Sequence, residues 1–175
     1  MFFDFKNKQS GKKFKTFIVA EIGQSHNGSL KYAKNLIDHS AKAGADAVKF
    51  QTHYAFEESS NQDKFRKKNI KLKSRYNYWK RMEFTESQWR EISNYAKKKK
   101  LVFLSSPFSI KALNTLLKLN IPAIKIASGE VNNRFLINEI IKARKPIILS
   151  CGMSSSKEID QLVKFFKKKK IKICL

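Results

Sequence analysis

A chain of 175 residues, 42% of them hydrophobic, is long enough for one domain with a substantial core and too apolar to be disordered. Its 37 lysines and arginines against 14 acidic residues give a formal charge of +23, which raises nucleic acid, an anionic membrane or an anionic metabolite as partner. No apolar run approaches the roughly 20 residues of a membrane span, and Met1-Phe2-Phe3 passes into Asp4 and lysines without the apolar stretch of a secretory signal, so the sequence reads as soluble and cytoplasmic.

Residues 1–15 read as a basic arm or a short first strand. Phe17 to Ile22 is the first clear strand, and Gly23-Gln24-Ser25-His26-Asn27-Gly28 after it is rich in turn formers. Ser29 caps a helix whose apolar stripe is Ala33, Leu36, Ile37 and Ala41, closed by Gly44. Ala45 to Gln51 is the second strand, with Lys49 and Gln51 on one face. Residues 52–83 form a long polar and aromatic connection containing Tyr76, Tyr78 and Trp79, a length that suits a functional loop or short helices of its own. Thr85 and Gln88 have capping-box spacing ahead of a helix carrying Trp89, Ile92 and Ala96. Leu101 to Leu104 is a strand that ends in Ser105-Ser106-Pro107, followed by a helix with Leu113, Leu116 and Leu117. Ile121 to Ile126 is the next strand and runs into Ala127-Ser128-Gly129-Glu130. A helix with Leu136, Ile137, Ile140 and Ile141 follows, then the strand Pro146 to Leu149 with Ser150-Cys151-Gly152 at its end. Ser155 and Glu158 form a second capping box before Ile159, Leu162, Val163 and Phe166. Ile171 to Leu175 begins a sixth strand. Cys151 and Cys174, the two cysteines, are far apart in sequence and read as free thiols in a reducing compartment.

Strand-helix alternation throughout predicts parallel β/α units, and the later strands begin near residues 122, 146 and 171, a near-constant spacing that suits a barrel. Most of the strands end in polar or glycine-bearing segments, which puts the chemistry on one rim, where a β/α barrel keeps its site. A full barrel takes eight units and about 250 residues. The expected fold class is therefore α/β, an incomplete TIM-type barrel of about six of eight units. Lys97–Lys100 and Lys167–Lys170 close helices on the opposite rim, where they complement the negative helix ends; no nucleic-acid motif accompanies them.

The rim collects Glu21, Lys49, Gln51, Ser105, Ser106, Lys125, Ser128 and Glu130. Two lysines with hydroxyls suit a phosphate and a carboxylate, and the carboxylates and amide suit a polyhydroxyl partner. Lys49 and Lys125 share inward parity and are expected to face each other. His26 and His53 lie nearby as ordinary loop residues or metal ligands, with no third ligand at a telling spacing.

Five motifs occur in order: Ala20-Glu21-Ile22-Gly23 with His26-Asn27-Gly28; Ala43 to Gln51; Ser106-Pro107-Phe108-Ser109; Lys125 to Glu130 with Asn132-Asn133; and Lys145 to Ser150 with Gly152-Met153. Together they resemble the N-acetylneuraminate (sialic acid) synthase family, whose relatives make legionaminic and pseudaminic acids, and the likeness runs from about residue 16 to the end. The resemblance implies a transferase that condenses phosphoenolpyruvate with N-acetylmannosamine or a related N-acylated sugar, releasing phosphate and forming a nine-carbon 2-keto sugar acid. It places phosphoenolpyruvate on Lys49, Ser106, Lys125 and Ser128, the sugar on Gln51 and Glu130, and Glu21 beside the reacting carbonyl, with Glu21, Lys49 and Lys125 catalytic. It implies a divalent metal, manganese or magnesium, in the complete enzyme, with metal ligands expected beyond Leu175 and none within this chain. Ser25 stands where relatives often have asparagine, and Ser105-Ser106-Pro107 where they often have Ser-Thr-Pro. The expected organisation is a basic arm over 1–15 and a partial barrel over 16–175, without the later barrel units and the small antifreeze-like domain. The partners implied are the two small-molecule substrates, with no nucleic acid and no membrane, and a homodimer when complete or a separately encoded C-terminal complement. The alternative is an inactive or split-gene fragment of such a synthase, or a legionaminic or pseudaminic acid synthase.

Overall fold

The structure, a computed structural model, describes residues 3–5, 8–10, 16–64 and 74–175. Within the basic leader, β1 (Phe3–Phe5) and β2 (Lys8–Ser10) pair antiparallel, Phe3 opposite Ser10. The rest of the leader, and residues 65–73 of the long connection, lie outside the described residues.

Six parallel strands follow in two ladders. β3 (Val19–Gly23), β4 (Ala47–Thr52) and β5 (Val102–Pro107) form the first; β6 (Ile124–Ile126), β7 (Ile147–Leu149) and β8 (Ile173–Cys174) form the second. β5 packs beside β6, which brings the ladders together. The connecting helices are α1 (Leu30–Lys42), α2 (Ala55–Glu58), α3 (Arg75–Met82), α4 (Glu86–Lys98), α5 (Ile110–Lys118), α6 (Arg134–Lys142) and α7 (Ser156–Lys168). The long connection thus carries two short helices of its own, α2 and α3.

Local sequence explains the helix starts. Ser29, Ser74, Thr85, Ser109, Asn133 and Ser155 each accept a backbone N–H of the first turn, and Thr85–Gln88 and Ser155–Glu158 close both halves of the capping box. The helices end less conventionally. Lys100, Asn120, Arg144 and Lys170 take the left-handed conformation between helix and strand (φ 62, 51, 50 and 57°), where glycine is the usual occupant.

Strand alternation divides the core in two. Val48, Phe50, Phe103, Ile124, Ile126, Ile147 and Leu149 turn toward the helices and pack with Ile37, Trp89, Ile92, Leu113, Leu116, Ile140 and Phe166. The opposite parity forms a smaller inner cluster of Ala47, Leu104 and Ala123, backed by Phe17, Val102 and Ile148. Lys49 shares its parity with Ala47, and Lys125 with Ala123, so both lysines stand on the inner face, beyond this apolar floor.

Candidate active site

Register makes the first pairing. Glu21 lies opposite Lys49, and Lys49 opposite Leu104, across β3, β4 and β5. Lys49 is 7% exposed and donates to both Glu21 oxygens, at 2.8 and 3.0 Å. A lysine this buried is costly without a partner, and Glu21 supplies the opposite charge while its own side chain stays largely exposed. Gly23 follows at φ +51°, where the register slips.

Lys125 has no carboxylate partner among the described residues. It donates to the Ile126 carbonyl at 3.1 Å and to the Ser150 hydroxyl. Its pKa is pushed down to about 8, first by burial and then by the charge of Lys49, with Glu21 and Cys151 opposing. Each of the two lysines lies on the inner face, and the charge of Lys49 is felt at Lys125. Ser150 was not singled out by sequence reading. The signal was available, since Lys125 pairs in register with Ile148 and Ser150 continues the same parity at the end of β7.

Of the two serines ending β5, parity separates one from the other. Ser105 turns to the helix side and bonds the Thr52 hydroxyl at 2.8 Å, so its place in the rim group is corrected: it is a structural hydroxyl. Ser106 lies opposite Gln51 on the inner face, fully buried, and its hydroxyl has no hydrogen-bond partner among the described residues. Ser128 opens the single 3-10 turn Ser128–Glu130 and is half-buried.

Gln51 and Glu130 line one cleft with His53, Glu57, Glu58, Arg75, Trp79, Phe108 and Asn133. Asn133, which caps α6 with its carbonyl, donates its amide to Glu130 at 2.7 Å. Sequence reading gave no role to Glu58, Arg75 or Phe108, because α2, α3 and the end of β5 meet here only in the folded chain.

His26 is fully buried, with its ring 4.6 Å from that of Phe84. Its Nδ1 accepts the Gly28 N–H at 3.0 Å, and its pKa is pushed down to about 4, by burial first and the charge of His53 second. Gly28 is required here: at φ +75° a Cβ would lie 1.9 Å from the Arg81 carbonyl oxygen, so the loop after β3 rests directly on α3. Nδ1 of His53 lies 2.6 Å from Glu58 Oε2, and among the described residues no group of three or more His, Cys, Asp or Glu gathers for a metal.

The profile of the NeuB family matches residues 36–175. The chain belongs to the NeuB family. It is 37% identical over 153 residues to the N,N'-diacetyllegionaminic acid synthase of Campylobacter jejuni, covering 84% of this chain and 45% of that protein. It is 32% identical over 160 residues to the human N-acetylneuraminate-9-phosphate synthase, covering 88% and 45%. The crystal structure of N-acetylneuraminic acid synthetase from Leptospira borgpetersenii, in complex with citrate, superposes with a TM-score of 0.84 at 30% identity, over 99% of this chain and 57% of that one. This NeuB-family chain therefore spans about half the length of the curated relatives it matches. Among its described residues no helix is long and apolar enough to cross a membrane.

Proposed function

We propose that this chain is the phosphoenolpyruvate-binding and sugar-binding barrel portion of a sialic-acid-type synthase, working in the cytoplasm and built as six β/α units of an eight-unit barrel. The observation that carries the reading is the pair of inner-face lysines held unlike each other: Lys49 neutralised by Glu21, and Lys125 with no carboxylate among the described residues. A cation on a buried face without a counter-ion suits an incoming anion, which restores its favoured charge. Lys49, Lys125, Ser106 and Ser128 hold the phosphate and carboxylate of phosphoenolpyruvate in this proposal, and Ser150 orients Lys125. Gln51 and Glu130, in the adjoining cleft, take the hydroxyl and N-acyl groups of an N-acetylmannosamine-type sugar.

The bond made joins the enol carbon of phosphoenolpyruvate to the sugar's aldehyde carbon. Water then adds at the carbon bearing phosphate, and the phosphate leaves with its bridging oxygen to give the 2-keto acid. In this proposal the alkoxide formed from the aldehyde takes its proton from solvent, and the Glu21–Lys49 ion pair stands beside it with the Glu21 side chain largely exposed. A manganese or magnesium ion belongs to this proposal for the complete enzyme, with ligands from beyond Leu175, and the complete enzyme is proposed to act as a homodimer.

The reading is tested by calorimetric titration of phosphoenolpyruvate into the protein and into Lys125→Ala. The variant is expected to bind more weakly by about 1.5–3 kcal/mol, the scale of a hydrogen bond to a charged group. Equal affinity in the two proteins removes Lys125 from the site and takes the proposal's main support with it.

A further inference from the structure

His53 follows the end of β4 and is 2% exposed. Both faces of its ring are covered. Trp79 stacks on one, with centroids 4.0 Å apart and planes at 17°, and Phe108 on the other, at 4.1 Å and 21°. Nδ1 lies 2.6 Å from Glu58 Oε2, while Glu58 Oε1 accepts the Tyr54 backbone N–H at 2.8 Å. Two faces and one nitrogen are thus committed. The remaining polar edge, Nε2, points at the side-chain amide of Gln51, 3.5 Å from Oε1.

A carboxylate only accepts, so the neutral ring facing it keeps its proton on Nδ1 and presents a lone pair at Nε2. A lone pair calls for a donor, and 3.5 Å to a carbonyl oxygen is too long to be a strong bond. Rotating the Gln51 amide by half a turn places its NH2 against the ring and its carbonyl toward the cleft, the choice of end being set by the hydrogen-bond network. We propose that His53 is a positioning residue: fixed by Glu58 in its Nδ1–H form between Trp79 and Phe108, it turns the Gln51 carbonyl into the cleft as an acceptor for a ligand hydroxyl or amide N–H. A doubly protonated ring reverses the amide and offers the ligand a donor instead. The titratable and charged groups around this ring are Glu58 of α2, which bonds it, Glu57 of α2, Arg75 of α3 and Glu130 of the 3-10 turn, which line the same cleft, and the neutral His26 of the loop after β3. Lys111 of α5 lies over the neighbouring Tyr54 ring, 4.6 Å from its centroid. That the ligand is an N-acylated sugar rests on the reading above; the setting of the amide does not.

The test is nitrogen-detected NMR of the full chain with labelled histidine and glutamine side chains, alongside Glu58→Gln and His53→Phe. In the unaltered protein His53 is expected to carry its proton on Nδ1. In Glu58→Gln the new amide keeps its oxygen on the Tyr54 N–H and turns its NH2 toward Nδ1. The ring proton then moves to Nε2, and the Gln51 side-chain signals shift with it. Affinity for N-acetylmannosamine falls about tenfold in Glu58→Gln, and as far in His53→Phe, which retains the stack but removes the nitrogen. Phosphoenolpyruvate affinity stays within twofold. A proton found on Nε2 of the unaltered protein, or Gln51 signals that ignore both substitutions, overturns the proposal; should Glu58→Gln not fold, the unaltered protein and His53→Phe decide. If ring and amide respond as described but N-acetylmannosamine binds to neither form, the sugar assignment fails and the positioning role stands.

Discussion

The β3–β5 half and the β6–β8 half each deliver one lysine to the same inner face, and they hold it differently. In the first half Lys49 meets Glu21 on the neighbouring strand. In the second, among the described residues, Lys125 finds only a serine hydroxyl and a carbonyl, and its ammonium is destabilised. The cores behind them differ too. Phe50, Phe84, Trp89 and Phe103 interlock behind the first ladder, Trp89 edge-on to Phe50 and Phe84, whereas isoleucines 124, 126, 140, 147 and 173 fill the second. The contrast shows that residue type and strand parity place a charge, while its neighbour across the ladder decides whether that charge is settled or left for a ligand.

The largest effect should come from breaking the aromatic core. Trp89→Ala removes a fully buried ring and is expected to cost about 3–5 kcal/mol of unfolding free energy, read from urea denaturation. Ile147→Val, equally buried behind the second ladder, should cost only about 0.5–1.5 kcal/mol. Equal losses would mean that the two cores are not packed as differently as their contacts indicate.

The lysine contrast is sharpened by pH. Because Lys125 in the fold ionises near 8, against 10.5 for an ordinary lysine, the unfolded chain binds more protons between those values and stability rises with pH across that window. The penalty of burying the ammonium is present in full below about pH 8. Phosphoenolpyruvate affinity should move the other way, weakening as pH climbs through 8 and the cation is lost. Lys125→Met should flatten both trends, and a stability curve that keeps its slope in this variant would assign it to another group.

A smaller effect belongs to His26. Its folded pKa of about 4 lies below the 6.5 of an ordinary histidine, so stability is retained above 6.5 and drains as pH falls toward 4, where the folded ring is forced to accept a proton. Thermal unfolding followed from pH 7 to 4 should show that slope, and His26→Phe should lose it while starting less stable, because the Gly28 N–H loses its acceptor.

Much of this was legible one residue at a time. Capping serines and threonines, the apolar stripes of α1, α4 and α7, and the parity of Lys49, Gln51 and Lys125 are local facts, carried by periodicities of 3.6 and 2 that any buried helix or strand must obey. The ordered motifs gave the family for the same reason. Which serine of Ser105-Ser106 stands on the inner face also follows from parity, once β5 is seen to run through Pro107 and not to stop at Leu104. The partners were not legible. Ser150 on Lys125, Glu58 on His53, and Trp79 and Phe108 on either side of that ring come from strands and helices brought together only in the folded chain. Sequence alone determined which groups stand on the inner rim, because alternation is intrinsic to a strand; only the tertiary structure decided which of them are neutralised, stacked or left unpaired, because charge and hydrogen-bond satisfaction depend on neighbours distant in the chain.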